Sequence, residues 1–223
     1  MRPTASAPEN PDIARALDHL TGAMGVTVGQ HSDVQDFTQA SLALTGKPPS
    51  PPFDPKINAI ASADLIWLSA HDHDGALVAI QALKRERITG PLTQHLDRQY
   101  HDYYCDGEDA RIIGHAPLVA TVSGEIAYHG DLFIAQSQRG KGLATPFAAL
   151  IQLLAHQHWN PDWIWGFIEP AKVQRGYAQK IGYTQMAAQG THYQGTPKGI
   201  STDDWFVCLS RAELQARVGV GVS

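Results

Sequence analysis

The most constraining feature of the sequence is one passage, Gly130-Asp131-Leu132-Phe133-Ile134-Ala135-Gln136-Ser137-Gln138-Arg139-Gly140-Lys141-Gly142-Leu143-Ala144. An apolar strand runs into a glycine turn carrying two cations, then directly into a helix. Leu143, Phe147, Leu150, Ile151 and Leu154 follow at spacings of +4, +7, +8 and +11, a single amphipathic stripe. Glycines let another molecule approach the backbone closely, and the first N–H groups of a helix have no partner within it. The positive end of the helix dipole favours an anion, and Arg139 and Lys141 strengthen that preference. On physical grounds the passage reads as a phosphate or pyrophosphate cradle, or else as an ordinary solvated corner.

Two rival phosphate motifs fail. The P-loop needs Ser or Thr after Gly-Lys, and here Gly140-Lys141 is followed by Gly142. The dinucleotide fingerprint needs a third glycine, where this chain has Thr145, and its strand comes too late to open a doubly wound domain.

The rest of the chain alternates strands and helices. A helix is expected near Asp12–Met24 and a short strand at Val26–Val28. A second helix, capped by Ser32 or Asp33, is ended by Gly46 and Pro48. Lys47–Pro55 holds five prolines in nine residues and predicts a stiff, extended connector. Leu65–Leu68 and Leu77–Ile80 flank an Asp-Gly step and predict a hairpin. Leu118–Val122, Glu125–Ala135, Trp163–Ile168, Tyr183–Ala187 and Trp205–Leu209 read as strands, and Ala171–Ile181 as a helix stopped by Gly182. Residues 1–11 are expected to form a disordered tail and 12–223 a single domain. The polar, aromatic stretch 91–117 is read as an insertion, with Tyr100, His101, Tyr103, Tyr104 and Cys105 forming either a lid or a helix face on the sheet.

Composition narrows the function. Of 223 residues, 43% are apolar and 17% charged, which suits a packed core rather than disorder. A net charge of -5 argues against a nucleic-acid partner, which would call for a basic excess. No stretch is apolar and long enough for a membrane span, and no signal-peptide pattern opens the chain. Two cysteines, Cys105 and Cys208, make neither a disulfide framework nor a metal spacing, so a cytoplasmic location is expected. His71, Asp72, His73 and Asp74 read as a solvated hairpin tip, and no metal is expected.

The strand, the Arg-Gly-Lys-Gly-Leu-Ala turn and the helix resemble motif A of the GNAT acyl-CoA N-acyltransferases, usually written Q/R-x-x-G-x-G/A. The second landmark of that family, an apolar strand and then a helix ending in K-x-G-F/Y, is matched by Trp163–Ile168 and by Lys180-Ile181-Gly182-Tyr183. The resemblance is firm over residues 124–183. It implies an α/β (α+β) fold with a mixed, mostly antiparallel sheet and helices on both faces. It also implies transfer of an acetyl or other acyl group from acetyl-CoA to a primary amine by direct attack, in a monomer or homodimer. Arg139, Gly140, Lys141, Gly142, Leu143 and Ala144 would bind the pyrophosphate. Phe133, Ile134 and Ala135 would grip the pantetheine arm and supply an N–H to the oxyanion.

The catalytic base is expected among Glu125, His129 and Asp131, which share a face if the strand is regular. A bulge of the kind the family carries would flip part of that register. His129, with an intrinsic pKa of about 6.5, is suited to accept a proton at neutral pH. The family's tyrosine acid falls at Ala178, and Tyr177 lies about 100° away on a helix. Tyr177 is therefore expected to be a core aromatic on the Val173 and Ile181 stripe. That departure keeps a catalytically silent acyl-CoA sensor or scaffold as the alternative, with a nucleotide-binding domain behind it.

Overall fold

The structure, a computed structural model, describes residues 10–104 and 110–217. Helix α1 (Pro11–Gly22) opens under Asn10, whose side chain accepts the N–H of Asp12 at 2.9 Å. The expected tail is therefore too long at its end: proline suits the first helical turn because that N–H needs no partner. Strand β1 (Thr27–His31) leads to α2 (Val34–Thr45), which is capped by the Asp33 carboxylate and closed by a left-handed Gly46. Strands β2 (Leu65–His71) and β3 (Leu77–Ile88) form the expected hairpin.

Residues 91–117 resolve into helix α3 (Leu92–Tyr104) and strand β4 (Arg111–His115), with Cys105 outside the described residues. The strand expected at Leu118–Val122 is instead a 3₁₀ turn over Pro117–Thr121, where proline presets a helical φ. Strand β5 (Gly124–Ile134) and helix α4 (Ala144–His158) carry the central motif. After β6 (Trp163–Ile168), the single expected helix is two short ones, α5 (Pro170–Gln174) and α6 (Tyr177–Lys180). They are separated by Gly176 at φ 72°, which breaks the helical ladder. Strands β7 (Gln185–Ala187), β8 (Thr191–Gln194) and β9 (Trp205–Ser210) and helix α7 (Arg211–Arg217) complete the chain.

Seven strands form one sheet in the order β1-β2-β3-β5-β6-β9-β7, antiparallel throughout except for the β5–β6 pair. Strands β4 and β8, a pairing the sequence reading missed, form a separate ribbon. On one face of the sheet, Ile13 and Leu20 of α1, Phe147, Leu150 and Ile151 of α4, and Leu214 of α7 are buried against Leu68, Leu83 and Ala127. On the other, Phe37 of α2 and Leu92, Leu96 and Tyr100 of α3 pack on Trp67, Ile80, Tyr128 and Trp165. Each fully buried large apolar side chain contributes about 1.5–3 kcal/mol, so both layers are held by burial.

Helix α3 is also fastened by charge. Glu86 of β3 meets Lys84 Nζ at 2.9 Å and His95 Nε2 of α3 at 3.1 Å. Removal from water opposes ionisation of Glu86, but the His95 hydrogen bond and the Lys84 charge outweigh it and hold the carboxyl at about 2.

Candidate active site

The parallel pairing of β5 and β6 covers only Ile126–Trp163, Ala127–Ile164 and Tyr128–Trp165. The next residue on β6 is Gly166. A Cβ there would lie 2.7 Å from the His129 carbonyl oxygen and 3.5 Å from the Tyr183 hydroxyl, so only glycine permits this approach. Beyond it the strands part around a cavity of about 660 Å³, with Gly130–Phe133 on one lip and Gly166–Ile168 on the other. The cavity reaches both faces of the sheet. His129, Tyr177, Ile181 and Tyr183 line it on the α4 side, and Tyr100, Tyr104, Tyr128 and Phe167 on the α3 side.

The expected bulge is present. Ile80 pairs with Phe133 and Ala82 with Gly130, so Gln81 alone spans Asp131 and Leu132. Asp131 takes a left-handed φ of 50°, a conformation that Asp and Asn tolerate better than most residues. The bulge turns Asp131 off the face that Glu125 and His129 still share. Glu125 lies near the start of β5, about 13 Å from His129 at the usual rise per residue, and its carboxylate pairs with Arg87 outside the cavity. His129 points to the α4 side. Asp131 turns the other way, where its Oδ2 accepts the N–H of Ser50 at 2.9 Å. Loss of hydration raises the Asp131 pKa above its ordinary value, although the Ser50 contact opposes that shift.

His129 is buried, and burial lowers its pKa to about 4, so the ring is neutral at physiological pH. Its Nδ1 lies 3.0 Å from Tyr183 Oη and its Nε2 lies 3.1 Å from Gln81 Oε1. The Gln81 amide nitrogen in turn donates to the Phe147 carbonyl at 2.5 Å. The expectation of a free imidazole base near neutrality is thereby corrected, because desolvation disfavours the cation.

The glycine turn has the form the sequence implied. A 3₁₀ turn at Gln136–Gln138 precedes Arg139, and Gly140 and Gly142 sit at φ 77° and 87° with open space where a Cβ would stand. Helix α4 starts with no side-chain cap, which leaves its first N–H groups facing outward. Lys141 is exposed, and Arg139 is partly engaged because its Nε donates to the Ile134 carbonyl at 3.0 Å. Of the segment expected to meet the oxyanion, the Ala135 N–H already donates to the Val78 carbonyl at 2.8 Å. Strand alternation then leaves the neighbouring Ile134 N–H facing the split.

Ala178 is fully buried, so no hydroxyl stands where the resemblance would put a tyrosine acid. Tyr177 packs partly against the core, as expected, but also lines the cavity, and burial lifts its pKa to about 12. The role of Tyr183 was not read from the sequence, where it served only as a landmark. The α3-side wall was also missed. It includes Lys47, Ser50 and Pro51 of the proline connector, Thr191 and Tyr193 of β8, and Asp204 before β9. Of the two readings of this stretch, the packed helix is the one observed: Tyr100 and Tyr104 are buried on the sheet, and they also line the cavity. At the hairpin tip, Asp72, His73 and Asp74 place their ligand atoms within 4.8 Å, but the Asp72 carboxylate accepts the turn N–H groups of Asp74 and Ala76. Among the described residues, no helix is long and apolar enough to cross a membrane.

No family model matches the chain, and no curated protein matches it in sequence. Solved structures do match. The aminoglycoside acetyltransferase AAC(6')-Ib with paromomycin and acetyl-CoA is 12% identical with a TM-score of 0.51, over 88% of this chain and 99% of that one. The same enzyme with ribostamycin and coenzyme A gives the same figures. Spermidine N-acetyltransferase from Vibrio cholerae with CoA and spermine is 10% identical with a TM-score of 0.46, over 86% and 99% of the two chains. The fold is that of the GNAT acyltransferases, with its mixed, mostly antiparallel sheet.

Proposed function

We propose that this GNAT-fold chain is an acyl-CoA-dependent N-acyltransferase that takes acetyl-CoA as donor and a primary amine as acceptor. The observation that carries the reading is the split between β5 and β6, a cavity open through the sheet with the glycine turn just beyond one lip. Such a split offers an extended ligand the unpaired backbone of two strands. The turn at Arg139–Ala144 offers its pyrophosphate free N–H groups and positive charge. Donor and acceptor would enter from opposite faces, the donor over α4 and the acceptor past α3.

In this reading Phe133 and Ile134 hold the pantetheine arm, and the Ile134 N–H meets the carbonyl oxygen as it gains charge. Ala135 contributes a contact but no donor. Asp131, on the acceptor side, holds the incoming ammonium and receives its proton, directly or through water. His129 belongs to the donor side, and Glu125 has a structural role with Arg87. The protein is placed in the cytoplasm, acting as a monomer or homodimer, with residues 91–117 shaping the acceptor chamber.

The test is isothermal titration with acetyl-CoA and with ATP, followed by thiol release with a panel of amines. Binding of acetyl-CoA but not ATP is expected, with amine-dependent thiol release; absence of CoA binding would defeat the assignment. A silent acyl-CoA sensor is the second reading, favoured by the buried Ala178, and tight CoA binding with no turnover would select it.

A further inference from the structure

The hydrogen-bond chain behind the split has a fixed direction. The Gln81 amide nitrogen must face the Phe147 carbonyl, because its oxygen there would meet another acceptor at 2.5 Å. Its Oε1 therefore faces His129 Nε2, so that nitrogen carries the ring proton. A neutral ring then leaves Nδ1 as an acceptor, and the Tyr183 hydroxyl donates to it. The Tyr183 oxygen lies 3.5 Å from where a Cβ on Gly166 would stand, at the point where the strands part, and Tyr183 lines the cavity. Tyr183 is thus an acceptor toward any ligand, the reverse of a resting acid. A phenol accepts a proton only if it releases its own in the same step, and His129 Nδ1 is placed to take it.

We propose that Tyr183 and His129 form a two-member proton shuttle that carries the proton of the attacking nitrogen to the leaving sulfur. The proposal rests on the acyl-transfer reading. As the nitrogen bonds to the thioester carbon, Tyr183 Oη takes a proton from that nitrogen while its own hydroxyl proton passes to His129 Nδ1. As the carbon–sulfur bond breaks, the imidazolium returns its proton to Tyr183, and Tyr183 protonates the sulfur. The enzyme ends unchanged, and one proton has moved from nitrogen to sulfur. One pair thus does the work for which Ala178 has no side chain. Asp131 keeps the prior task of releasing the amine from its ammonium form.

The experiment uses the full chain. In ¹⁵N-labelled protein the ring nitrogens of His129 should show the Nε2–H tautomer and no imidazolium down to pH 5; an Nδ1–H tautomer would overturn the proposal. Tyr183→Phe and His129→Asn, which keeps an acceptor but nothing basic, should each lower the rate of thiol release from acetyl-CoA about 100-fold. The rate is read with the best acceptor of a panel of primary amines and water, and the dissociation constant for CoA should stay within about twofold. The double variant should be no slower than the worse single one, because the pair acts as a unit. Multiplying losses, parallel loss of CoA affinity, or near-native turnover in Tyr183→Phe would each overturn the shuttle. A wild-type protein that binds no CoA would instead overturn the acyl-transfer reading, and the shuttle with it.

Discussion

The backbone N–H of Ser50 donates to Asp131 Oδ2 at 2.9 Å across 81 positions of sequence, fastening the proline connector to the bulge of the central strand. One contact thereby places a carboxylate on the acceptor side of the cavity and closes that side with Lys47, Ser50 and Pro51. The connector is not extended throughout as expected, since Pro51–Phe53 wind into a 3₁₀ turn, and its prolines reduce the entropy lost in holding this position.

Asp131→Asn should separate stability from activity. Asparagine tolerates the left-handed φ and still accepts the Ser50 N–H, but carries no buried charge. A carboxyl whose folded pKa is raised favours the fold while protonated and loses that contribution as pH rises through its folded value. The variant should therefore gain on the wild type in urea denaturation as pH rises from the ordinary carboxyl range through the raised folded value. Turnover should fall at least about tenfold. Equal turnover would remove Asp131 from the chemistry.

Gly142→Ala tests the turn. The added Cβ meets nothing within 4 Å, so the intrinsic cost is the left-handed φ alone, about 1 kcal/mol by thermal unfolding. A ligand seated against that backbone would feel the methyl group directly. Calorimetry should show CoA affinity reduced about tenfold or more, a loss of about 1.4 kcal/mol. Unchanged affinity would place the pyrophosphate elsewhere.

Gly166→Ala should damage the split itself. Its Cβ would press 2.7 Å from the His129 carbonyl oxygen, a backbone atom that cannot swing aside. Overpacking of this kind costs about 1–3 kcal/mol, to be read in chemical denaturation. A neutral result would mean that β5 and β6 sit farther apart than described.

Glu86→Gln should loosen α3. Its carboxyl, held at about 2 in the fold, stabilises the protein fully above its ordinary value near 4.5 and loses that contribution as pH falls toward 2. Removing it leaves Lys84 buried without its counter-charge, a change that typically costs about 3 kcal/mol. Wild type and variant should converge in stability as the pH approaches 2. A constant gap between them would assign the loss to packing.

What could be read from the chain was local. The turn at Gly140–Gly142, the stripe through Phe147 and Leu154 and the Asp72–Gly75 hairpin all follow from neighbouring residues, and all appear in the structure. What could not be read depends on partners far along the chain. No periodicity marks Gln81 as the residue that fixes the His129 tautomer, and nothing near Ser50 announces Asp131. Strand β8 is four residues long and gains its place by pairing with β4, which itself follows the α3 segment. Glu125, His129 and Asp131 had the right spacing for one face; a single extra residue in the ladder turned Asp131 off it, and Glu125 keeps the face but lies too far along the strand.

The brief pairing of β5 and β6 leaves each flank of the split on a different neighbour. The last shared pair is Tyr128 and Trp165, whose rings lie 4.8 Å apart. Beyond that pair each strand is held only from its outer side, Ile134 by Ala79 of β3 and Ile168 by Trp205 of β9. Tyr100 and Phe206 pack on Trp165 and so buttress the point at which the split begins.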